Sequence, residues 1–218
     1  MCALTDVDLP AKRDEYHRWY LEVHFPDLIE PGQFANPTMF LNAGDPVPEG
    51  DGYFLAMYET HHADLEATAV EFKKLVDQLF AESRIHAGTI GRMFAIYRQL
   101  GVHLAGPERR RRTQSLIAVH IDAEAGAEDE LRRWYREQHV PEVVETGLVH
   151  TGSINELIGG DAFADAMEPD QPRFLAQYES DIGDPAALAG MLAEKHPADA
   201  MPEFVKLRRV GLYYRGSA

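Results

Sequence analysis

The sequence predicts an α+β fold in which two βαββαβ repeats pair within one chain, forming a closed, barrel-like pair of sheets with four helices outside. Three observations predict it. The segment Trp19-Tyr20-Leu21-Glu22-Val23-His24-Phe25-Pro26 returns as Trp134-Tyr135-Arg136-Glu137-Gln138-His139-Val140-Pro141, at an offset of 134 − 19 = 115, and Gly32 is answered by Gly147. The segment Phe54-Leu55-Ala56-Met57-Tyr58-Glu59 returns as Phe174-Leu175-Ala176-Gln177-Tyr178-Glu179, at an offset of 179 − 59 = 120. A weaker match sets Ile96-Tyr97-Arg98 against Tyr213-Tyr214-Arg215, near the end of each half. Internal self-similarity of this kind constrains the architecture more than any single element does.

Each half then reads in the same order. Ala3 to Val7 and Ser115 to Ile121 are short, β-branched first strands. A helix follows, with an apolar stripe at Tyr16, Trp19, Tyr20 and Val23, answered by Leu131, Trp134 and Tyr135, at the spacing of a helix lying on a sheet. Pro26 and Pro141 are expected to stop it, because the residue before a proline is pushed away from helical geometry. Phe34 to Leu41 and Val149 to Leu157 read as second strands, and Tyr53 to Thr60 and Phe174 to Ser180 as third strands. Helical runs at Asp64 to Ala81 and Pro185 to Glu194 lead into closing strands at Gly91 to Gln99 and Lys206 to Tyr214. The expected boundaries are 1–101 for the first repeat, 102–114 for a linker and 115–218 for the second. A sheet covered by helices on one face must bury its other face, and the second copy supplies the partner. A monomer is therefore the expected folding unit, with any homodimer formed through helices or loops.

Composition narrows the partners. The 218 residues carry a formal charge of −15, from 36 acidic and 21 basic side chains, which repels nucleic acid and anionic membrane surfaces. Arg109 to Arg112 reads as a solvated linker. One cysteine, Cys2, excludes an internal disulfide and suits a reducing compartment. The N-terminal residues lack a signal pattern, and no apolar run reaches membrane-spanning length, so a soluble, cytoplasmic protein is expected. Gly159-Gly160 lacks phosphate-loop spacing, and His61-His62 reads as loop; no metal and no cofactor are expected.

A helix bearing Trp-Tyr-x-x-x-His-x-Pro, followed by a short apolar stretch and Gly, resembles the EthD-like branch of the dimeric α+β barrel superfamily, whose unit is ferredoxin-like. The resemblance covers both halves. It implies a small-molecule substrate handled without a cofactor by isomerases or cyclases, and also admits monooxygenase and haem-degrading members. In a lactone-isomerising relative the histidine ending the first helix belongs to the active site, so the resemblance implies that role for His24 and His139.

The residues themselves permit such chemistry. At a helix carboxyl end, exposed carbonyls favour a protonated imidazole, and a histidine exchanging a proton near neutral pH suits general acid–base work. Capping the helix is the alternative. Trp19, Tyr20, Trp134 and Tyr135 either shape a pocket or fill the core, and Glu22 and Glu137 read as surface charge. Strand alternation places Leu55, Met57 and Glu59 on one face, and Leu175, Gln177 and Glu179 on the equivalent one. Thr5 is taken as the counterpart of His120 and Met57 as that of Gln177. First and third strands are neighbours in a ferredoxin-like sheet, which brings His120 towards Gln177 and Glu179 and places the expected site in the second half. The catalytic set is then His139, His24, Glu179 and His120, with Trp134, Tyr135, Gln177, Trp19 and Tyr20 binding substrate. The expected function is His-mediated proton transfer on a small carbonyl or aromatic compound, of isomerase, cyclase or lyase type. A non-catalytic binding or assembly protein is the alternative, and a haem-degrading or cofactor-free monooxygenase the third reading.

Overall fold

A computed structural model describes residues 1–48, 51–106, 112–158, 171–196 and 201–216. Arg109 to Arg111 and Gly159-Gly160 lie outside the described residues. The first half runs β1 (Cys2–Val7), α1 (Arg13–Trp19), a π-helical turn (Tyr20–His24), α2 (Phe25–Ile29), β2 (Ala35–Asn42), β3 (Phe54–Glu59), α3 (Leu65–Ala81) and β4 (Thr89–Ala95). After the single residue Ile96 comes β5 (Tyr97–Leu104), which carries the strand past residue 101. The second half runs β6 (Ser115–Ala123), α4 (Glu128–Trp134), a second π-helical turn (Tyr135–His139), α5 (Val140–Glu145), β7 (Thr151–Leu157), β8 (Phe174–Ser180), α6 (Pro185–Lys195) and β9 (Val205–Arg215).

Among the described residues nine strands pair antiparallel in the order β4-β1-β3-β2-β9-β6-β8-β7-β5. Because β4 and β5 adjoin in sequence, the two ends of this order are one interrupted strand, and the sheet closes on itself. The halves meet at two seams. At one, Phe40 to Asn42 face Arg215 to Tyr213; at the other, Tyr97 to Leu104 face Leu157 to Thr151. Both seams lie within one chain, so closure needs no second copy. Among the described residues no helix is long and apolar enough to cross a membrane.

Register corrects two details of the repeat. Leu4 faces Leu55 and His120 faces Leu175, so the counterpart of His120 is Leu4, not Thr5. Likewise Tyr213 faces Asn42 and Tyr97 faces Leu157, so Tyr97, rather than Ile96, corresponds to Tyr213. The first and closing strands therefore correspond at an offset of 116, one residue away from the first helix. A slip of one residue in a strand turns every side chain to the other face.

The prolines do not end the first helices. Helical backbone continues through Pro26 to Ile29 and through Pro141 to Glu145. A proline inside a helix lacks one donor and crowds the carbonyl four residues earlier. The chain answers by widening the preceding turn: Phe25 N–H donates to the Tyr20 carbonyl, and Val140 N–H to that of Tyr135, both five residues back. Gly32 (φ +78°) and Gly147 (φ +75°) follow the ends of these helical segments in the left-handed conformation that glycine adopts without strain. The later helices share a device too, since Asp64 accepts from Ala67 N–H, and Asp184 from Ala186 and Ala187 N–H.

Three apolar cores result. One packs the first-half helices on the outer sheet face, including Tyr16, Tyr20, Phe54 and Phe72; another does so in the second half, including Leu131, Tyr135, Ile154 and Phe174. The third fills part of the barrel lumen with Cys2, Leu4, Phe40, Leu55, Leu116 and Tyr213.

Candidate functional site

The π-helical turn explains the spacing of the repeated motif. Residues five apart on an α-helix point about 140° away from one another. The extra residue in the wide turn removes most of that angle, so Trp19 meets His24 and Trp134 meets His139. The rings stack, with centroids 4.9 Å apart at 23° in the first half and 4.5 Å apart at 16° in the second. Tyr20 and Tyr135 each present an edge to the imidazole, at 4.7 and 5.0 Å. Both histidines thus sit inside a continuous helical segment, between helices and sheet. The expected cation at a helix end is not formed: burial lowers the pKa of each imidazole to about 4. The nearby Asp27 opposes this at His24, whereas His196, 6.1 Å from His139, adds to it. Both rings are neutral at pH 7.

His24 is buried, and its Nδ1 has no hydrogen-bond partner. It borders a cavity of about 40 Å³ whose wall includes Trp19, Tyr20, Tyr58, Phe72, Phe80 and Phe94. Almost all of this wall is apolar. Such a space holds a few waters at roughly 10–15 Å³ each. Among the described residues its lining offers no cationic side chain for the propionates of haem, so the residues around His24 do not fit that group, and in this closed form the space admits an organic ring only if the outer wall moves. In the second half, the Tyr135 and Tyr178 hydroxyls are buried without partners, and Trp134 packs against that half's core. Glu22 and Glu137 are exposed.

Gln177 and Glu179 lie elsewhere, inside the barrel. A lumen cavity of about 650 Å³ opens beside Glu59, His61, His62, Arg98 and Glu179, and reaches inward to Met57, Tyr97, Ser153, Asn155 and Gln177. Asn155 Nδ2 donates to Ser153 Oγ (3.0 Å), the Leu175 carbonyl (3.0 Å) and Gln177 Oε1 (3.3 Å). Glu179 accepts a hydrogen bond from Thr113 at 2.7 Å. His120 also points into the lumen but does not join this group. Its partner on the opposite strand is Arg209, whose Nη2 lies 3.2 Å from His120 Nε2 and whose Nη1 lies 3.2 Å from Asp51. Burial and that guanidinium lower the His120 pKa to about 3. The expected sites therefore divide between two layers: His24, His139, Trp19, Tyr20, Trp134 and Tyr135 outside the sheet, and Gln177, Glu179 and His120 within it. Among the described residues no cluster of three or more His, Cys, Asp or Glu is placed to hold a metal.

No family model matches the chain, and no curated protein matches it in sequence. Solved structures do match its fold. An anthrone oxidase-like protein is 12% identical, with a TM-score of 0.60 over 99% of this chain and 90% of its own. A proposed chlorite dismutase is 14% identical, with a TM-score of 0.50 over 99% and 93%. A heme-binding protein from Thermus thermophilus is 10% identical, with a TM-score of 0.49 over 98% and 89%. The chain has the dimeric α+β barrel fold. In this barrel, reading the sequence alone missed Tyr97, Ser153, Asn155, and the Arg209–Asp51 pair. The signal for Asn155 was available: an offset of 115 sets it against Phe40, a polar-for-aromatic exchange on an inward position.

Proposed function

We propose that the chain is a cofactor-independent enzyme that removes a proton from carbon activated by the carbonyl of a small aromatic substrate, either next to it or conjugated with it through an aryl ring, with His24 as the acceptor. The observation that carries this is a neutral imidazole with an unpartnered nitrogen, held by a ring stack at the wall of an apolar cavity. A neutral imidazole has its lone pair available throughout the physiological range. Burial also makes the ring a weaker base, and this is offset because the imidazolium forms together with the enolate as an ion pair in low-dielectric surroundings, where their attraction is strong. Trp19 and Tyr20 orient the ring and supply aromatic wall. Isomerisation, cyclisation, carbon–carbon lyase chemistry and cofactor-free oxygenation can all begin from that enolate. Substrate entry requires the outer wall to move, and Phe80 of α3, 61% exposed, is its least held member.

The two halves, 1–101 and 115–218 with 102–114 between them, read as tandem copies of an EthD-like unit. Their shared stack, π-helical turn and helix caps support this. Seams closed within one chain support a monomer, and the buried, unpaired Cys2 supports a cytoplasmic setting. The likeness to an anthrone oxidase-like protein suggests the first probe. Anthrone has acidic methylene hydrogens beside two aryl rings, conjugated with its carbonyl. In D₂O under argon, the protein is expected to speed exchange of these hydrogens for deuterium, read by NMR, and His24→Ala to abolish most of that acceleration. Equal acceleration by the folded variant overturns the assignment.

A further inference from the structure

The lumen is lined asymmetrically. Residues that correspond between the halves differ in kind at four levels: Leu4 against His120, Phe40 against Asn155, Met57 against Gln177, and Met93 against Arg209. Two of these pairs touch each other, Gln177 Nε2 to Met57 Sδ at 3.5 Å and Arg209 Nη2 to Met93 Sδ at 3.7 Å. A residue meeting its own counterpart marks the pseudo-twofold axis, so the axis runs through the lumen with an apolar wall on one side and a polar wall on the other. The polar side is also short of acceptors. A thioether sulfur is a weak acceptor for the Gln177 amide, and Tyr97, a residue of the cavity wall, has its hydroxyl buried without a partner. Leaving a buried donor unsatisfied is costly. A cavity of about 650 Å³ lies in the range of small-molecule sites.

We infer that the lumen is a second binding site, separate from the His24 cavity, for a neutral aryl ketone. The Tyr97 hydroxyl and the Gln177 amide donate to its carbonyl oxygen, while Met57 and Leu175 flank its ring. Glu59 and Glu179, against the single Arg98 among the described lining residues, leave the mouth with a net negative charge that disfavours an anion of the same shape. This site does not depend on the proton-transfer reading.

The test uses the full chain and 6-propionyl-2-dimethylaminonaphthalene, a neutral aryl ketone whose emission reports both apolar surroundings and hydrogen bonding to its carbonyl. Wild type is expected to bind it with saturation. Tyr97→Phe, which removes only an oxygen, and Gln177→Leu should each weaken binding about 3- to 10-fold, as loss of one hydrogen bond does, and shift the bound emission to the blue. Asn155→Phe, which places the first-half residue in the polar wall, should fill the space and abolish binding, whereas His24→Ala should leave it unchanged. Absence of saturable binding to wild type overturns the proposal. So does binding that is indifferent to Tyr97→Phe and Gln177→Leu, or that is lost in His24→Ala.

Discussion

The two halves share a backbone and a tryptophan–histidine stack, yet they line their common lumen with opposite chemistry. In a homodimer, residues meeting at the twofold axis are identical, so glutamine would face glutamine and methionine would face methionine. With both halves in one chain that constraint is absent. The axis contacts become Gln177 to Met57 and Arg209 to Met93, and one wall can become polar while the other stays apolar. The outer layers differ less: each has a π-helical turn, a stacked imidazole and a buried tyrosine.

The largest expected effect breaks the equivalence of the outer layers. His24→Ala should lower catalysed exchange by on the order of 10²–10⁴-fold, the usual share of general acid–base catalysis. His139→Ala, which touches no residue of the His24 cavity, should cost at most about twofold on the same assay, a change in activation barrier well under about 1 kcal/mol. Equal twofold losses would divide the activity between the halves, and a loss confined to His139→Ala would contradict the assignment.

Acid stability comes next. The folded pKa of His24 and His139 is about 4 and that of His120 about 3, all below the ordinary imidazole value of 6.5. The unfolded chain therefore takes up protons first. Stability should be complete above about pH 6.5 and fall as pH drops towards 4, by about 2 kcal/mol per histidine at about pH 5. Urea unfolding at about pH 7 and pH 5 measures it. His120→Leu, which installs the residue of the first half, should remove one such share; a pH-independent midpoint would contradict the lowered pKa of all three rings.

Much of the fold was legible because repeated blocks reveal register without any tertiary knowledge. Helix termination was not. A proline usually ends a helix, and nothing local shows that Pro26 and Pro141 are absorbed by a wide turn, although that turn is what brings residues five apart together. The imidazole charge was misread for the same reason, since a helix end favours the cation and a helix interior packed on a sheet favours the neutral ring. At the first strand the repeat slips by one residue relative to the helix. Thr5 was therefore matched to His120, and the partnership of His120 with Arg209, set by β9 across a long separation, stayed hidden. Gln177 and Glu179 were placed on a common face because strand alternation alone decides that, whereas which face is inward depends on how the sheet closes.

A smaller effect sharpens the comparison where the halves agree. Gly32→Ala and Gly147→Ala each force a side chain into positive φ and should each cost about 1 kcal/mol. Thermal melts of the two variants should shift alike; a shift in only one would show that the helix ends are not equivalent.

The central claim, that the working base is a buried neutral imidazole, is tested most directly by the pH dependence of anthrone exchange, corrected for the uncatalysed rate. With the His24 pKa lowered to about 4, the catalysed rate should reach half its maximum near that pH and stay level through the neutral range. A midpoint near about 6.5, the value of an unburied imidazole, would contradict it.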